Sequence, residues 1–125
     1  MTLQTVITAK HKHTHARTTQ VTTPHGTFNT PAFMPVGTRA GVNCMTSKEL
    51  TDSGSEIILG GNTYHMLVAP GMEVIQRAGG MHPFMAWNGP MLTDSGGFQI
   101  FSLSKNSTIC QITEEGAHFK HPETG

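Results

Sequence analysis

Asp94 is the side chain in this sequence whose type and position best suit acid/base chemistry. It is one of only two aspartates. It follows the apolar run 90–92, from which Thr93 alone separates it. A carboxylate at the mouth of a buried strand is partly desolvated, which suits it to general acid/base work. Asp94 could instead be a helix N-cap before a tight glycine turn, and residue types alone leave both interpretations open.

The residues after Asp94 can complete a pocket for a flat heterocycle. They are Ser95, Gly96, Gly97 and Phe98. Glycines let backbone N–H groups approach an anion or a carbonyl oxygen closely, and the aromatic ring offers a face for stacking. With the Asp94 carboxylate facing an N–H edge of the ligand, these residues predict a site for a planar base such as a purine.

A second polar segment, 60–65, follows the short apolar strand predicted at 56–59. Asn62 can both donate and accept hydrogen bonds, so it fits a sugar hydroxyl or a carboxylate partner. Tyr64 and His65 could be catalytic, although such side chains near a strand end are more often packed and hydrogen-bonded. We therefore take Asn62 as the candidate site residue of this segment.

Local signals predict the elements that precede these segments. Residues 18–23 and 27–34 are extended patterns around the turn signal Pro24-His25-Gly26, which indicates a β-hairpin. The run 46–49 has capping-box spacing and Gly54 stands at a natural C′ position, so a short helix is expected over 47–53.

The rest of the chain alternates strands and helices. A glycine loop is expected at 60–63, a helix at 72–78, and a second buried strand at 90–93 that ends at Asp94. This order is typical of a βα barrel or an open α/β sheet, where loops at the carboxyl ends of strands carry the chemistry. A complete barrel takes ~250 residues, so we expect an incomplete domain in these 125 residues.

Charge is unevenly distributed although the formal net charge is zero. Residues 1–48 hold five basic residues and no carboxylate, whereas the rest holds three basic and eight acidic residues. We take residues 1–16 as a basic N-terminal arm, and residues 17–125, which hold the predicted strands and helices, as the N-terminal portion of a barrel domain. The arm could contact the phosphates of a polyanion such as RNA, or it could be an ordinary solvated edge.

Other features predict no further site. His11, His13 and His15 would share one face of a strand and could bind a metal, but a solvated stretch is the favoured interpretation. Cys44 and Cys110 form no C-x-x-C pair, and no apolar run approaches the ~20 residues of a membrane helix. With no apolar signal segment at its start, the chain is expected to be cytoplasmic and free of membranes.

Five longer motifs, in one order, resemble the tRNA-guanine transglycosylases, also called queuine tRNA-ribosyltransferases. They are 30–38 (TPAFMPVGT), 57–60 (IILG), 61–65 (GNTYH), 70–73 (PGME) and 92–99 (LTDSGGFQ). The similarity runs from about Arg17 to Phe119, which is nearly all of this chain but only the N-terminal portion of the family's enzyme.

The resemblance implies a fold and a reaction. The fold is α/β, the N-terminal part of a (β/α)8 TIM barrel preceded by a β-hairpin. Family members exchange guanine at the tRNA wobble position for a 7-deazaguanine, queuine or its precursor, in queuosine biosynthesis. A nucleophilic aspartate attacks the ribose anomeric carbon and is then displaced by the incoming base. The partners implied are tRNA and the base, and the full-length enzyme can form a homodimer.

The resemblance also implies roles for individual residues. Asp94 would be the acid/base residue and proton acceptor that contacts the base, and Asn62 would lie beside the nucleophile and the ribose. The base pocket would be lined by Ser95, Gly96, Gly97 and Phe98.

This sequence departs from the family pattern in two places and lacks further parts. Gly60-Gly61 has two glycines where one is typical, which puts the placement of Asn62 in doubt, and Ala69 stands where an arginine is common. The nucleophile, the rest of the pocket and the structural zinc ligands are expected beyond Gly125, so no metal or cofactor is expected in this segment. Asp52 matches no nucleophile motif, and the chain alone is expected to be inactive.

Three functions remain in competition. The first is an N-terminal fragment of an active transglycosylase, from a longer, split or disrupted gene. The second is a non-catalytic module that binds tRNA or a partner subunit. The third, an unrelated α/β hydrolase, has little support because the sequence contains no G-x-S-x-G or H-E-x-x-H motif.

Overall fold

The computed structural model describes residues 2–121, and it begins with a three-stranded antiparallel sheet. The strands are β1 (Gln4–Lys10), β2 (Arg17–Thr23) and β3 (Gly26–Thr30), hydrogen-bonded in that order. The β2–β3 pair confirms the predicted hairpin, with Thr23 opposite Gly26 at the turn. Residues 4–10 of the predicted N-terminal arm form β1; Met1 and residues 122–125 lie outside the described residues.

The second strand of the hairpin is shorter than predicted. β3 ends at Thr30 rather than continuing to Met34. Pro31 follows and has no backbone N–H with which to extend the ladder. Near its end, β3 is held to the rest of the chain, because the backbone N–H of Asn29 donates to the Glu56 carboxylate at 2.6 Å.

The first helix, α1 (Ser47–Asp52), forms as its sequence predicts. Thr46 is the N-cap, its hydroxyl accepts from the Glu49 N–H, and the Glu49 carboxylate accepts from the Thr46 N–H, which completes the capping box. Gly54 follows with a φ of 83°. The helix buries Leu50 in the core, beside Ala40, Ile58, Met85 and Trp87.

A parallel pair of strands forms the second sheet, and helices connect its strands. β4 (Ile58–Asn62) is followed by α2 (Thr63–Val68), α3 (Met72–Arg77) and α4 (Met81–Met85), and β5 (Met91–Asp94) then pairs parallel to β4. On the other side of β4, Val36 forms a parallel bridge to Leu59. Parallel strands joined through helices are the unit of α/β folds.

The predicted helix and strand of this region are confirmed, with two corrections. The expected loop at 60–63 is wrong, because β4 continues through both glycines to Asn62. The expected burial of the second strand is also wrong: Leu92 is 48% exposed. Within residues 2–121, β5 has a neighbouring strand on one side only, which leaves its other edge and its side chains uncovered.

The last elements were not predicted from the sequence. They are α5 (Gly97–Ser104) and a hairpin of β6 (Cys110–Thr113) and β7 (Gly116–Phe119). The hairpin packs against α2, where the rings of Tyr64 and Phe119 meet edge to face at 5.3 Å. No helix within residues 2–121 has the length and apolar character required to cross a membrane.

Two imidazoles stack where the β2–β3 turn meets α4. The rings of His25 and His82 lie 3.6 Å apart and 11° from parallel, and His82 Nε2 is 3.1 Å from the carbonyl oxygen of Gly89. Burial, and secondarily the neighbouring His25, lower the pKa of His82 below its ordinary value of 6.5. Protonation of His82 is therefore less favourable in the folded chain than in the unfolded one.

We expect this pair to make the chain less stable in mild acid. As the pH falls below 6.5, the unfolded chain binds a proton at His82 before the folded chain does, so the free energy of unfolding decreases until the folded pKa is passed. Urea unfolding just above and just below that pH should show the decrease, and His82→Gln should reduce it. The control is His118→Gln on exposed β7; an equal reduction there would contradict the assignment to His82.

Candidate active site

The parallel register of β4 and β5 brings two predicted site residues together. Asn62 and Asp94 are the last residues of their strands and are directly paired across the sheet. Carboxyl ends of neighbouring parallel strands meet at one edge of a sheet, which is where α/β proteins place their ligands. The two motifs that are separate in the sequence therefore lie together at this edge.

The extra glycine of β4 is accommodated as a β-bulge. Leu59 pairs with Leu92 and Asn62 with Asp94, so β4 advances three residues while β5 advances two. One residue of β4 is thus unpaired, which is the defining feature of a bulge. The bulge keeps Asn62 opposite Asp94 despite the second glycine.

Close packing against backbone explains why position 61 is glycine. Gly61 has a φ of 95°, and a Cβ there would lie 2.8 Å and 2.9 Å from the carbonyl oxygens of Thr38 and Gly37. A Cβ at Gly60 would lie 2.5 Å from the Met91 sulfur. Only glycine allows the loop after Val36 to approach β4 this closely.

Asn62 has a structural role besides its predicted one. It is 6% exposed, and its Oδ1 accepts a hydrogen bond of 2.9 Å from the His65 N–H, which caps α2. Such a cap satisfies one of the free N–H groups at the start of the helix. Because Oδ1 is engaged, the Nδ2 group is the part of Asn62 that can bind a ligand oxygen.

Asp94 is not a helix cap. The N-cap of α5 is Gly96, with a φ of 75°, so the alternative interpretation of Asp94 is wrong. The expected partial desolvation is also wrong for this chain: Asp94 is exposed at the uncovered edge of β5, and its carboxylate makes no hydrogen bond or ion pair with residues 2–121. The structure therefore leaves this carboxylate accessible to a ligand.

Gly96, which follows β5, packs beside the end of β4. A Cβ at this position would lie 3.4 Å from the Tyr64 nitrogen and 3.6 Å from Asn62 Oδ1, so the glycine turn packs against the start of α2. The Gly97 N–H donates to Ser95 Oγ at 3.3 Å, which occupies one of the amides expected to face a ligand. The turn after Asp94 therefore lies against Asn62 and is closed by its own hydrogen bond between Gly97 and Ser95.

An exposed aromatic surface lies beside this turn, on α5. Phe98 is 76% exposed and Phe101 is 62% exposed. A large apolar ring left in water at the start of a helix is available for stacking on a planar ligand. The stacking role of Phe98 stays a prediction.

One polar group of the motif was not singled out from the sequence. The Oε1 atom of Gln99 is buried and has no hydrogen-bond donor among the described residues. A buried acceptor without a donor costs about 1–3 kcal/mol. The only sequence signal for Gln99 is its position as the last residue of the 92–99 motif.

The remaining candidates do not join this site. Tyr64 packs on Phe119, in agreement with a structural role, and Asp52 pairs with Lys48 at 2.6 Å on exposed α1. No group of three or more His, Cys, Asp or Glu side chains within residues 2–121 is arranged to hold a metal ion.

Comparison with known proteins assigns the chain to a family. The family model for queuine tRNA-ribosyltransferase matches residues 12–125. Proteins named queuine tRNA-ribosyltransferase from Pediococcus pentosaceus, Lactiplantibacillus plantarum and Desulforamulus reducens are 55%, 53% and 51% identical over 91%, 93% and 96% of the chain. The matches cover 29%, 30% and 31% of those relatives, so the chain spans less than a third of their length. The chain belongs to the queuine tRNA-ribosyltransferase family.

Proposed function

We propose that this chain supplies the base-binding part of an enzyme that exchanges guanine at the tRNA wobble position for a 7-deazaguanine, queuine or its precursor. The observation that carries the proposal is the pairing of Asn62 with Asp94 at the carboxyl edge of the parallel strands, followed by the glycine turn and Phe98. Both cysteines are free, as is usual in the cytoplasm, where we place the reaction.

In this proposal Asp94 exchanges a proton with the base. Its accessible carboxylate can accept an N–H of the bound purine and hold the proton that the base gains or loses as the glycosidic bond changes. Asn62 Nδ2 lies at the same edge and can donate to a ribose oxygen. Backbone N–H groups of the glycine turn can meet the carbonyl oxygen of the base.

The nucleophile is proposed to come from the part of the enzyme that the longer relatives have and this chain does not contain. Asp52 cannot serve, because it lies on α1 in an ion pair with Lys48 and not at the strand ends. The uncovered edge of β5 is consistent with a nucleophile supplied by another part of the enzyme. We propose that further βα units complete a TIM barrel at this edge and enclose Asp94.

A chimera tests the proposal. This chain would replace the matching 114-residue segment of the Pediococcus pentosaceus relative, with which it is 55% identical. We expect the chimera to incorporate labelled guanine into tRNA and the 125-residue chain alone not to do so. A folded chimera without exchange activity, or full activity of the chain alone, would contradict the proposal.

The competing function is a non-catalytic module that binds tRNA. It is favoured by the exposed cations of the β1–β2 turn, which lie apart from the candidate active site in the sequence. The same chimera separates the two functions, because a module without catalytic residues would bind tRNA but leave the chimera without base exchange.

Phe98 is expected to hold the base by stacking. Phe98→Ala should raise the KM for guanine in the chimera roughly 5- to 150-fold, since stacking of a base on an aromatic ring contributes about 1–3 kcal/mol. Phe101→Ala is the matched control, because Phe101 is also exposed on α5, one turn further along. Equal effects of the two substitutions on KM would show that Phe98 has no specific role.

A further inference from the structure

A cluster of positive charge lies at the turn between β1 and β2, which we call the basic turn and define as residues 10–17. Lys10 and Arg17 are direct partners at the ends of the two strands, and Lys12 lies in the connection between them. All three side chains belong to exposed residues. Like charges placed opposite each other across a strand pair are destabilising, so the arrangement has a cost in the isolated fold.

No carboxylate neutralises this cluster within the described part of the chain. The first acidic residue in the sequence is Glu49. The ion pairs that residues 2–121 form are Lys48–Asp52 and Arg77–Glu73, neither of which involves the basic turn. The three cations are therefore available to an anionic partner.

The turn is ordered by its own hydrogen bonds. The His11 N–H donates to the carbonyl oxygen of Ala16 at 2.9 Å, and His11 Nδ1 lies 3.0 Å from the Thr14 hydroxyl and 3.3 Å from the His13 nitrogen. A preformed turn loses less conformational freedom on binding than a flexible one. Lys10 and Arg17 also line a surface depression of about 340 Å³, which can seat a phosphate group.

We propose that the basic turn binds the phosphate backbone of RNA, and of tRNA in particular. Three cations without acidic neighbours at one end of a sheet match a polyanion of regularly spaced phosphates. The choice of tRNA rests on the proposed function, whereas the phosphate contact rests on the charges alone. The contact is independent of base sequence and supplies affinity, not the choice of the exchanged guanine.

The test measures binding of the full 125-residue chain to fluorescently labelled tRNA over a range of salt concentrations. The test variant is Lys10→Ala/Lys12→Ala/Arg17→Ala. The matched control is Lys48→Ala/Arg77→Ala/Lys120→Ala, which removes the same charge from exposed residues elsewhere. Circular dichroism checks that both variants remain folded.

We expect the test variant to bind about tenfold or more weakly at low salt and to lower the slope of log K against log salt by about 2–3, roughly one per lost phosphate contact. The control should change both quantities much less. Equal losses in the two variants, an unchanged salt slope, or no binding of the unsubstituted chain at low salt would overturn the proposal.

A second RNA separates this inference from the proposed function. A tRNA without guanine at the wobble position offers the same phosphates but no exchangeable base. Equal loss of binding to both tRNAs in the test variant supports the basic turn even if the chimera exchanges no base. A loss confined to the tRNA with the wobble guanine would contradict a backbone contact.

Discussion

Asp94→Asn in the chimera is expected to lower the rate of guanine incorporation by roughly 10²–10⁴-fold, the usual contribution of a general acid/base group. The amide of asparagine can donate and accept hydrogen bonds but cannot take up the proton of the base. Within residues 2–121 the Asp94 carboxylate makes no hydrogen bond or ion pair, so the isosteric substitution breaks no contact of the described chain. The effect should therefore appear in turnover while the fold remains intact.

Asp52→Asn is the matched control for this prediction. It makes the same change of charge and hydrogen bonding on exposed α1, where Asp52 pairs with Lys48. Exposed ion pairs of this kind contribute about 0–1 kcal/mol, so turnover should stay close to that of the unsubstituted chimera. If Asp94→Asn also left turnover unchanged, Asp94 would have no part in the proton transfer.

Gly61→Ala is expected to lower the free energy of unfolding of this chain by about 3 kcal/mol. The backbone at Gly61 has a φ of 95°, which costs a residue with a Cβ roughly 1–2 kcal/mol. The added Cβ would also meet the carbonyl oxygens of Gly37 and Thr38 at 2.9 Å and 2.8 Å, which forces this loop away from β4. Overpacking of this kind typically costs about 1–3 kcal/mol.

Two other glycines separate these contributions in urea unfolding. Gly80 also has a positive φ, 112°, but a Cβ there meets nothing within 4 Å, so Gly80→Ala should show the conformational cost alone. Gly41 has neither constraint, so Gly41→Ala should change stability by less than about 1 kcal/mol. If Gly61→Ala were no more destabilising than Gly80→Ala, the close approach of the 37–38 backbone to β4 would be contradicted.

The elements that the sequence predicts best are those with local causes. The capping box of α1 depends on Thr46 and Glu49, three residues apart, and the β2–β3 hairpin on the turn signal at residues 24–26. The helix expected at 72–78 appears as α3 between Gly71 and Gly79, both of which have a positive φ. In each case the residues that determine the structure are neighbours in the sequence.

The errors arise where distant residues determine the structure. Gly60-Gly61 has the composition of a loop, yet it forms a bulge in β4, because the backbone of Gly37 and Thr38 packs against it. The spacing of residues within one segment carries no information about such an approach. The burial expected for β5 fails for a similar reason, since it requires a second neighbouring strand that residues 2–121 do not provide.

The residues of the candidate site stand in two short motifs, so the sequence names them without knowledge of the fold, and their roles stay predictions. The sequence named Asn62 and Asp94 separately, and the register of β4 and β5 shows that they are neighbours. It left open whether Asp94 caps a helix, which the position of Gly96 at the start of α5 decides. The buried oxygen of Gln99 depends on the packing of α5 and could not be predicted.

The most direct test of the central claim is a crystal structure of the chimera with a 7-deazaguanine bound. We predict that a carboxylate oxygen of Asp94 lies about 2.6–3.2 Å from a ring nitrogen of the base and that the Phe98 ring stacks on its face. A base bound away from the ends of β4 and β5, with Asp94 still facing solvent, would contradict the assignment of this edge as the base-binding site.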